Sequence, residues 1–122
     1  MNLYPFRETV ARKNVTPEDA IENIDIGGPS MLRSAAKNFA SVWVIVDPDD
    51  YNRVLASLHA QDNDEDLRRL LAGKVYAHTA SYDAAIASWF AMQREEKFPQ
   101  TIVASLERAQ SLRYGENPGQ DA

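Results

Sequence analysis

The residues best equipped for chemistry fall in the first third of this chain. Asp25-Ile26-Gly27-Gly28-Pro29 places a carboxylate just ahead of two glycines and a proline. Glycines carry no Cβ, so at a helix start they let backbone N–H groups approach a carbonyl or an anion closely. An aspartate before Gly-Gly ordinarily caps or turns the chain. Tyr4 beside Pro5 has a phenol whose simplest role is to anchor a loop. Lys37 lies eight residues past Pro29, roughly 12 Å along an ideal helix. Helical side chains lean back toward the N-terminus, but that covers only part of the gap. Spacing alone therefore leaves Lys37 a solvated surface lysine.

Other chemistries are disfavoured. The chain has no cysteine, which excludes disulfides, thiolate nucleophiles and Cys-ligated zinc and fits a reducing compartment. His59 and His78 are the only histidines and stand 19 residues apart, outside any ligand-spaced motif, so neither a metal site nor an acid–base pair is expected. The acids from Asp62 to Asp66 lack calcium-loop spacing and suit a solvated helix start. A net charge of −5 over 122 residues disfavours a broad nucleic-acid or anionic-membrane footprint, without excluding a local pocket for one phosphate. With 44% apolar and 25% charged residues the composition is that of a globular domain. The run Val42 to Val46 is far too short to span a bilayer. The N-terminus lacks a signal-peptide layout, and a cytoplasmic location is expected.

Several elements must position these residues. Asn2 to Phe6 resembles the tail of a strand entering a loop at Pro5. Thr16-Pro17-Glu18-Asp19 has the cap, proline and acids of a helix start, predicting a short helix to about Ile24. A second helix is predicted from about Pro29 to Phe39, with Leu32, Ala36 and Phe39 on one face. Val42-Trp43-Val44-Ile45-Val46 is apolar at every position and predicts a strand buried on both faces, as in a parallel sheet. Asp47-Pro48-Asp49-Asp50 repeats the helix-start signature and predicts a helix with Tyr51, Val54, Leu55 and Leu58 inward. A long helix is predicted from about Asp66 to Gln93. Its inward stripe would be Leu67, Leu70, Leu71, Val75, His78, Tyr82, Ile86 and Trp89, with Gly73 weakening or bending it. Trp43, Trp89 and Phe90 are expected in the core. Alternation of Ile102, Ala104 and Leu106 predicts a strand within Thr101 to Ser111, followed by a loop-like tail.

A doubly buried strand needs neighbours on both edges, because unpaired backbone groups in a core are costly. Only the stub at Asn2 to Tyr4 and the distant Thr101 segment offer themselves. The chain is therefore expected to begin in mid-fold.

Read in order, the motifs resemble a known family. Asn2-Leu3-Tyr4-Pro5-Phe6, Ile24-Asp25-Ile26-Gly27-Gly28-Pro29, Ala35-Ala36-Lys37-Asn38 and Val46-Asp47-Pro48-Asp49-Asp50-Tyr51 resemble successive blocks of the IMP cyclohydrolase domain. Ala77-His78-Thr79-Ala80 and Tyr82-Asp83 resemble the helix closing that domain, and Leu112-Arg113-Tyr114-Gly115-Glu116-Asn117-Pro118 resembles the opening of the AICAR (aminoimidazole carboxamide ribonucleotide) formyltransferase domain. The resemblance covers nearly the whole chain. It implies an α/β fold: an incomplete, methylglyoxal-synthase-like parallel sheet flanked by helices. Residues 1–98 would be the C-terminal half of the cyclohydrolase domain, and 99–122 the linker and first strand of the formyltransferase domain.

The implied activity is the last steps of purine biosynthesis, ring closure of formyl-AICAR to IMP with loss of water. The attacking carboxamide nitrogen is a poor nucleophile, so help comes from orientation, proton transfer and oxyanion stabilisation. By resemblance Lys37 is the proton donor or acceptor, with Tyr4 and Asp25 lining the same pocket. Asn2, Asp25, Ile26, Gly27 and Gly28 would contact the nucleotide, and Arg113 and Tyr114 would bind AICAR in the formyltransferase site. Gly119 stands where the family has histidine, which would harm formyl transfer, and Phe39 replaces a frequent histidine. The family's phosphate-binding segments, its formyltransferase histidine and its folate site have no counterpart here. No cofactor is therefore expected in this chain, although 10-formyltetrahydrofolate serves the full-length family. Implied partners are the purine ribonucleotide, a complementing upstream half, and a second copy in a homodimer. The competing expectation is a catalytically inactive truncated homologue that acts at most as a dimerisation or interaction module.

Overall fold

The helix starts legible in the sequence form as their capping chemistry dictates. The computed structural model describes residues 1–94 and 98–110. Helix α1 spans Phe6–Val10, α2 Pro17–Glu22, α3 Gly27–Lys37, α4 Tyr51–His59 and α5 Glu65–Gln93, with a 3-10 turn at Pro48–Asp50 ahead of α4. At α2 the Thr16 hydroxyl accepts from the Asp19 N–H at 3.1 Å, and the Asp19 carboxylate accepts from the Thr16 N–H at 3.3 Å. This reciprocal box satisfies two of the donors every helix start leaves over. Asp47 accepts from the Asp49 N–H at 3.1 Å, and Asp64 caps α5 by accepting from the Leu67 N–H at 2.8 Å. The acids of 62–66 thus form a helix start, as expected.

Helix α5 runs 29 residues without a break at Gly73. That glycine is exposed, with open space where a side chain would stand. Its cost is confined to helix propensity, about 1 kcal/mol. The inward stripe of α5 needs correction. Leu67, Leu71, Val75, Tyr82 and Trp89 are buried and Ile86 is half-buried, but Leu70 and His78 face solvent. Thr79 is fully buried in place of His78, and Phe90 is exposed whereas Trp89 is core. A 3.6-residue period drifts over eight turns, so one stripe drawn from end to end cannot stay on one face.

The segment 42–46 departs from expectation in an instructive way. No β-strand occurs among the described residues, so the predicted strands at 42–46 and from Thr101 are not observed; Ser111 lies outside the described residues. A strand is defined by its ladder, and here no second strand supplies one. The physical reason for the prediction nevertheless survives. Val44 and Val46 pack with Leu32 and Ala36 of α3 and Ala72 and Val75 of α5. Trp43 and Ile45 pack instead on Val54 of α4 and on Leu67 and Leu71. Successive side chains thus enter two different apolar clusters, the period-2 behaviour of extended chain between layers. The only described backbone bond to this segment from the chain start runs from the Met1 amino group to the Ile45 carbonyl, 3.0 Å.

Two further expectations change. Asn2 to Phe6 is not a strand tail: Phe6 opens α1 and is 1% exposed. It sits edge-on to Tyr82 (6.3 Å between ring centres) and to Trp89 (6.0 Å). Its burial contributes roughly 2–3 kcal/mol. In α4 only Val54 is buried, while Tyr51, Leu55 and Leu58 are about half exposed. One face of so short a helix meets a single cluster, and nothing among the described residues covers the others. Residues 101–110 are exposed throughout. No helix of the described residues is long and apolar enough to cross a membrane.

Candidate functional site

The N-terminal end of α3 gathers most of the candidate residues. One Asp25 carboxylate oxygen accepts from the Gly28 N–H at 2.7 Å, and the other accepts from the Tyr4 N–H at 3.3 Å. The aspartate thus caps α3 and also ties that helix to the Asn2–Phe6 segment, 21 residues away in sequence. Gly28 is required for this approach. A Cβ there would lie 2.5 Å from the Asp25 carboxylate and 2.7 Å from the Leu3 side chain, whereas one at Gly27 would meet open space. Of the two glycines, one permits a contact and the other leaves a surface. Ile26 is 77% exposed beside them, while Asp25 itself is half-buried.

The structure does not bring Lys37 to this point. It is the last residue of α3, exposed, while Asp25 precedes the first. An 11-residue helix places its two ends about 15 Å apart. The Lys37 side chain makes no hydrogen bond or ion pair among the described residues. Asp25 likewise faces no cation there, in contrast with the other aspartate-led turn. In that turn Lys74 donates to both oxygens of the buried Asp50 at 2.8 and 2.6 Å and to Asp47 at 3.2 Å. The Asp49 N–H, then Lys74, hold the Asp47 carboxyl below its ordinary range. The hydrogen bonds to Asp50, then to Asp47, raise the Lys74 ammonium above its usual range. This cluster fastens the 3-10 turn to the middle of α5. Sequence reading missed it because its members lie 24 and 27 residues apart.

Asn2 and Tyr4 also border a surface cavity of about 320 Å³, with Arg7, His78, Ser81 and Tyr82 among its other walls. Asp25 and Lys37 do not line it. Arg7 donates to the Ser81 carbonyl at 2.7 Å and to the Ser81 hydroxyl at 2.5 Å, which pins α1 against α5. His78, expected inward, instead stands at the rim of this cavity. Burial pushes the Tyr82 phenol up, against the lowering effect of the Asp25 N–H. Among the described residues no cluster of His, Asp and Glu is arranged to hold a metal ion. Arg113, Tyr114 and Gly119 lie outside the described residues.

Comparison with known proteins bears on this arrangement. The family model described as the AICARFT/IMPCHase bienzyme matches residues 35–122. The bifunctional purine biosynthesis proteins PurH of Oceanobacillus iheyensis, Magnetococcus marinus and Streptococcus thermophilus are each 57% identical to this chain, over all of it and over 24% of their own length. The chain spans about a quarter of the curated relatives it matches. A family match over most of the chain, together with 57% identity across its whole length, means that the chain belongs to the AICARFT/IMPCHase bienzyme family.

Proposed function

We propose that this chain supplies the Tyr4, Asp25 and Lys37 side of an IMP cyclohydrolase site, acting in ring closure of formyl-AICAR to IMP with loss of water. The observation that carries the reading is the junction at the start of α3. There two remote blocks meet through one carboxylate that no cation among the described residues pairs with. Asn2, Ile26, Gly27 and Gly28 are the nucleotide contacts on this reading, with Ile26 and Gly27 exposed at a helix start suited to a carbonyl or an anion. Lys37 serves as the proton donor or acceptor. Because it stands at the opposite end of α3, a single ligand must extend along the helix to meet both. On this reading segment 42–46 is an inner strand of a parallel, methylglyoxal-synthase-like sheet. Its alternate packing into two helical layers and the Met1–Ile45 contact support that placement.

Residues 1–98 then belong to the cyclohydrolase unit and 99–122 to the start of the formyltransferase unit, where Arg113 and Tyr114 would meet AICAR. The formyl donor, 10-formyltetrahydrofolate, belongs to that second reaction, and none of its contacts is assigned to this chain. The proposed working form pairs this chain with a complementing upstream half or a second copy, in the cytoplasm.

The decisive assay mixes the chain with the preceding region of the Oceanobacillus iheyensis relative and follows IMP formation from formyl-AICAR. Activity is expected, and Lys37→Ala should lower the rate about a hundredfold, the usual scale for a lost general acid or base. A silent mixture, or an unchanged rate in the variant, refutes the catalytic assignment. A second reading, a non-enzymatic interaction module, is favoured by one observation: Asp25 and Lys37 stand at opposite ends of α3. It predicts that the mixture stays silent while the chain self-associates in sedimentation.

A further inference from the structure

Tyr82 stands on α5, 57 residues beyond Asp25, yet its hydroxyl closes the turn to which Asp25 belongs. The Asp25 backbone N–H donates to the Tyr82 oxygen at 2.8 Å, and the Tyr82 hydroxyl donates to the Asn23 carbonyl at 3.2 Å. These backbone groups lie between the end of α2 and the start of α3, where helix geometry provides no partner. The ring is fixed independently: it is 7% exposed and edge-on to Phe6, two residues after Tyr4. One side chain therefore touches both blocks of the candidate site, packing against one and hydrogen-bonding the other.

We infer that Tyr82 is a positioning residue whose hydroxyl sets the Asn23–Asp25 turn and so aims the Asp25 carboxylate at the Gly28 and Tyr4 N–H groups. The functional part of this inference rests on the cyclohydrolase reading. Packing alone does not call for an oxygen at this position. Phenylalanine would fill the same space against Phe6, but would strand the Asp25 N–H and the Asn23 carbonyl in a partly buried place. The direction of the Asp25 side chain follows from its backbone, and Tyr82 holds the N–H of that residue. Gly28 admits the carboxylate, and Tyr82 keeps it there.

The test compares the full chain with Tyr82→Phe, with Trp89→Phe as a packing control in the same aromatic cluster, and with Asp25→Ala. Amide hydrogen exchange at Gly28 reports the capping bond without any ligand. Tyr82→Phe should speed it roughly three- to tenfold relative to neighbouring α3 amides, the scale of one lost hydrogen bond, and Trp89→Phe should leave that ratio unchanged. Titration with IMP, followed by amide shifts, reports the site. Its affinity should fall by about the same factor in Tyr82→Phe, fall at least as far in Asp25→Ala, and stay put in Trp89→Phe. An unchanged Gly28 ratio in Tyr82→Phe overturns the inference. So does an unchanged IMP affinity in Tyr82→Phe when Asp25→Ala has lost it. If Asp25→Ala binds IMP like the parent chain, the cyclohydrolase reading fails and takes the functional part with it, while Gly28 exchange still decides whether Tyr82 holds the turn.

Discussion

Two aspartate-led turns look alike in sequence and differ in their surroundings. Asp25-Ile26-Gly27-Gly28-Pro29 and Asp47-Pro48-Asp49-Asp50 each place acid and proline at a helix start. In the second, Lys74 reaches across from α5 and pairs with both Asp47 and the buried Asp50. In the first, the described partners of the carboxylate are backbone N–H groups, and α5 contributes the Tyr82 phenol, which bonds the Asp25 backbone N–H. The Asp47–Asp50 turn spends its charge on holding the fold together. The Asp25 turn keeps its charge uncompensated near the surface, the condition under which a carboxylate can orient a ligand or help move a proton. A partner cation, rather than the acid itself, separates a structural aspartate from one available for chemistry.

The sharpest way to break this comparison is at Gly28. Gly28→Val should destabilise the chain by about 3 kcal/mol, since its side chain would overlap the Asp25 carboxylate and Leu3. Gly27→Ala should instead be neutral or slightly stabilising. Urea unfolding of the two variants checks this, and equal effects would mean that the capping approach is not as tight as described.

Next in size is Lys74→Met, which leaves Asp50 buried without its cation. Losing a partner in a buried pair costs about 3–5 kcal/mol. The Lys74 side chain is 39% exposed, and solvent screening discounts the figure to roughly 1–2 kcal/mol. Adding Asp50→Leu should recover part of the loss, because the charge is then gone. Removal of the charge at the other turn, Asp25→Asn, should cost less, about 1 kcal/mol, since the amide oxygen still accepts one backbone N–H. A larger loss from Asp25→Asn than from Lys74→Met, in the same unfolding assay, would reverse the assignment of roles.

The smallest effects are those of pH. Asp47 is held below the ordinary carboxylate range. Its contribution is therefore present above about pH 4 and is lost as pH falls through the lowered value. Lys74 and Tyr82 are both raised. Their contributions are complete below about pH 10 and are lost as pH rises through the raised values. Denaturation midpoints should thus be level between these limits and fall on both sides. Lys74→Met should blunt both limbs, and Tyr82→Phe only the alkaline one. An acid limb unchanged in Lys74→Met would show that Asp47 draws nothing from that lysine.

Much of this molecule was legible from residue types alone. Thr16-Pro17, Asp47-Pro48 and the acids ahead of Leu67 announce three helix starts because capping is local chemistry, settled within four residues. The unbroken apolar run at 42–46 announced burial on two faces, and Val44 and Trp43 do enter different clusters. Helix α1 was missed because Asn2-Leu3-Tyr4-Pro5-Phe6 looks extended in isolation. Only the apolar space between Tyr82 and Trp89 gives Phe6 a reason to begin a helix. His78 was placed inward by continuing one stripe along a helix too long to keep a single face.

The order of motifs along the chain determined its family and named Tyr4, Asp25 and Lys37 as the residues to examine. Tertiary structure alone decided which of them meet. Asp25 and Tyr4 are joined at one end of α3, and Lys37 is left at the other. It alone decided, too, that Lys74 answers one acidic turn and Tyr82 the other. Those pairings span from 21 to 57 residues, and contacts between remote positions depend on how whole helices pack. Short-range spacing carries no record of that packing.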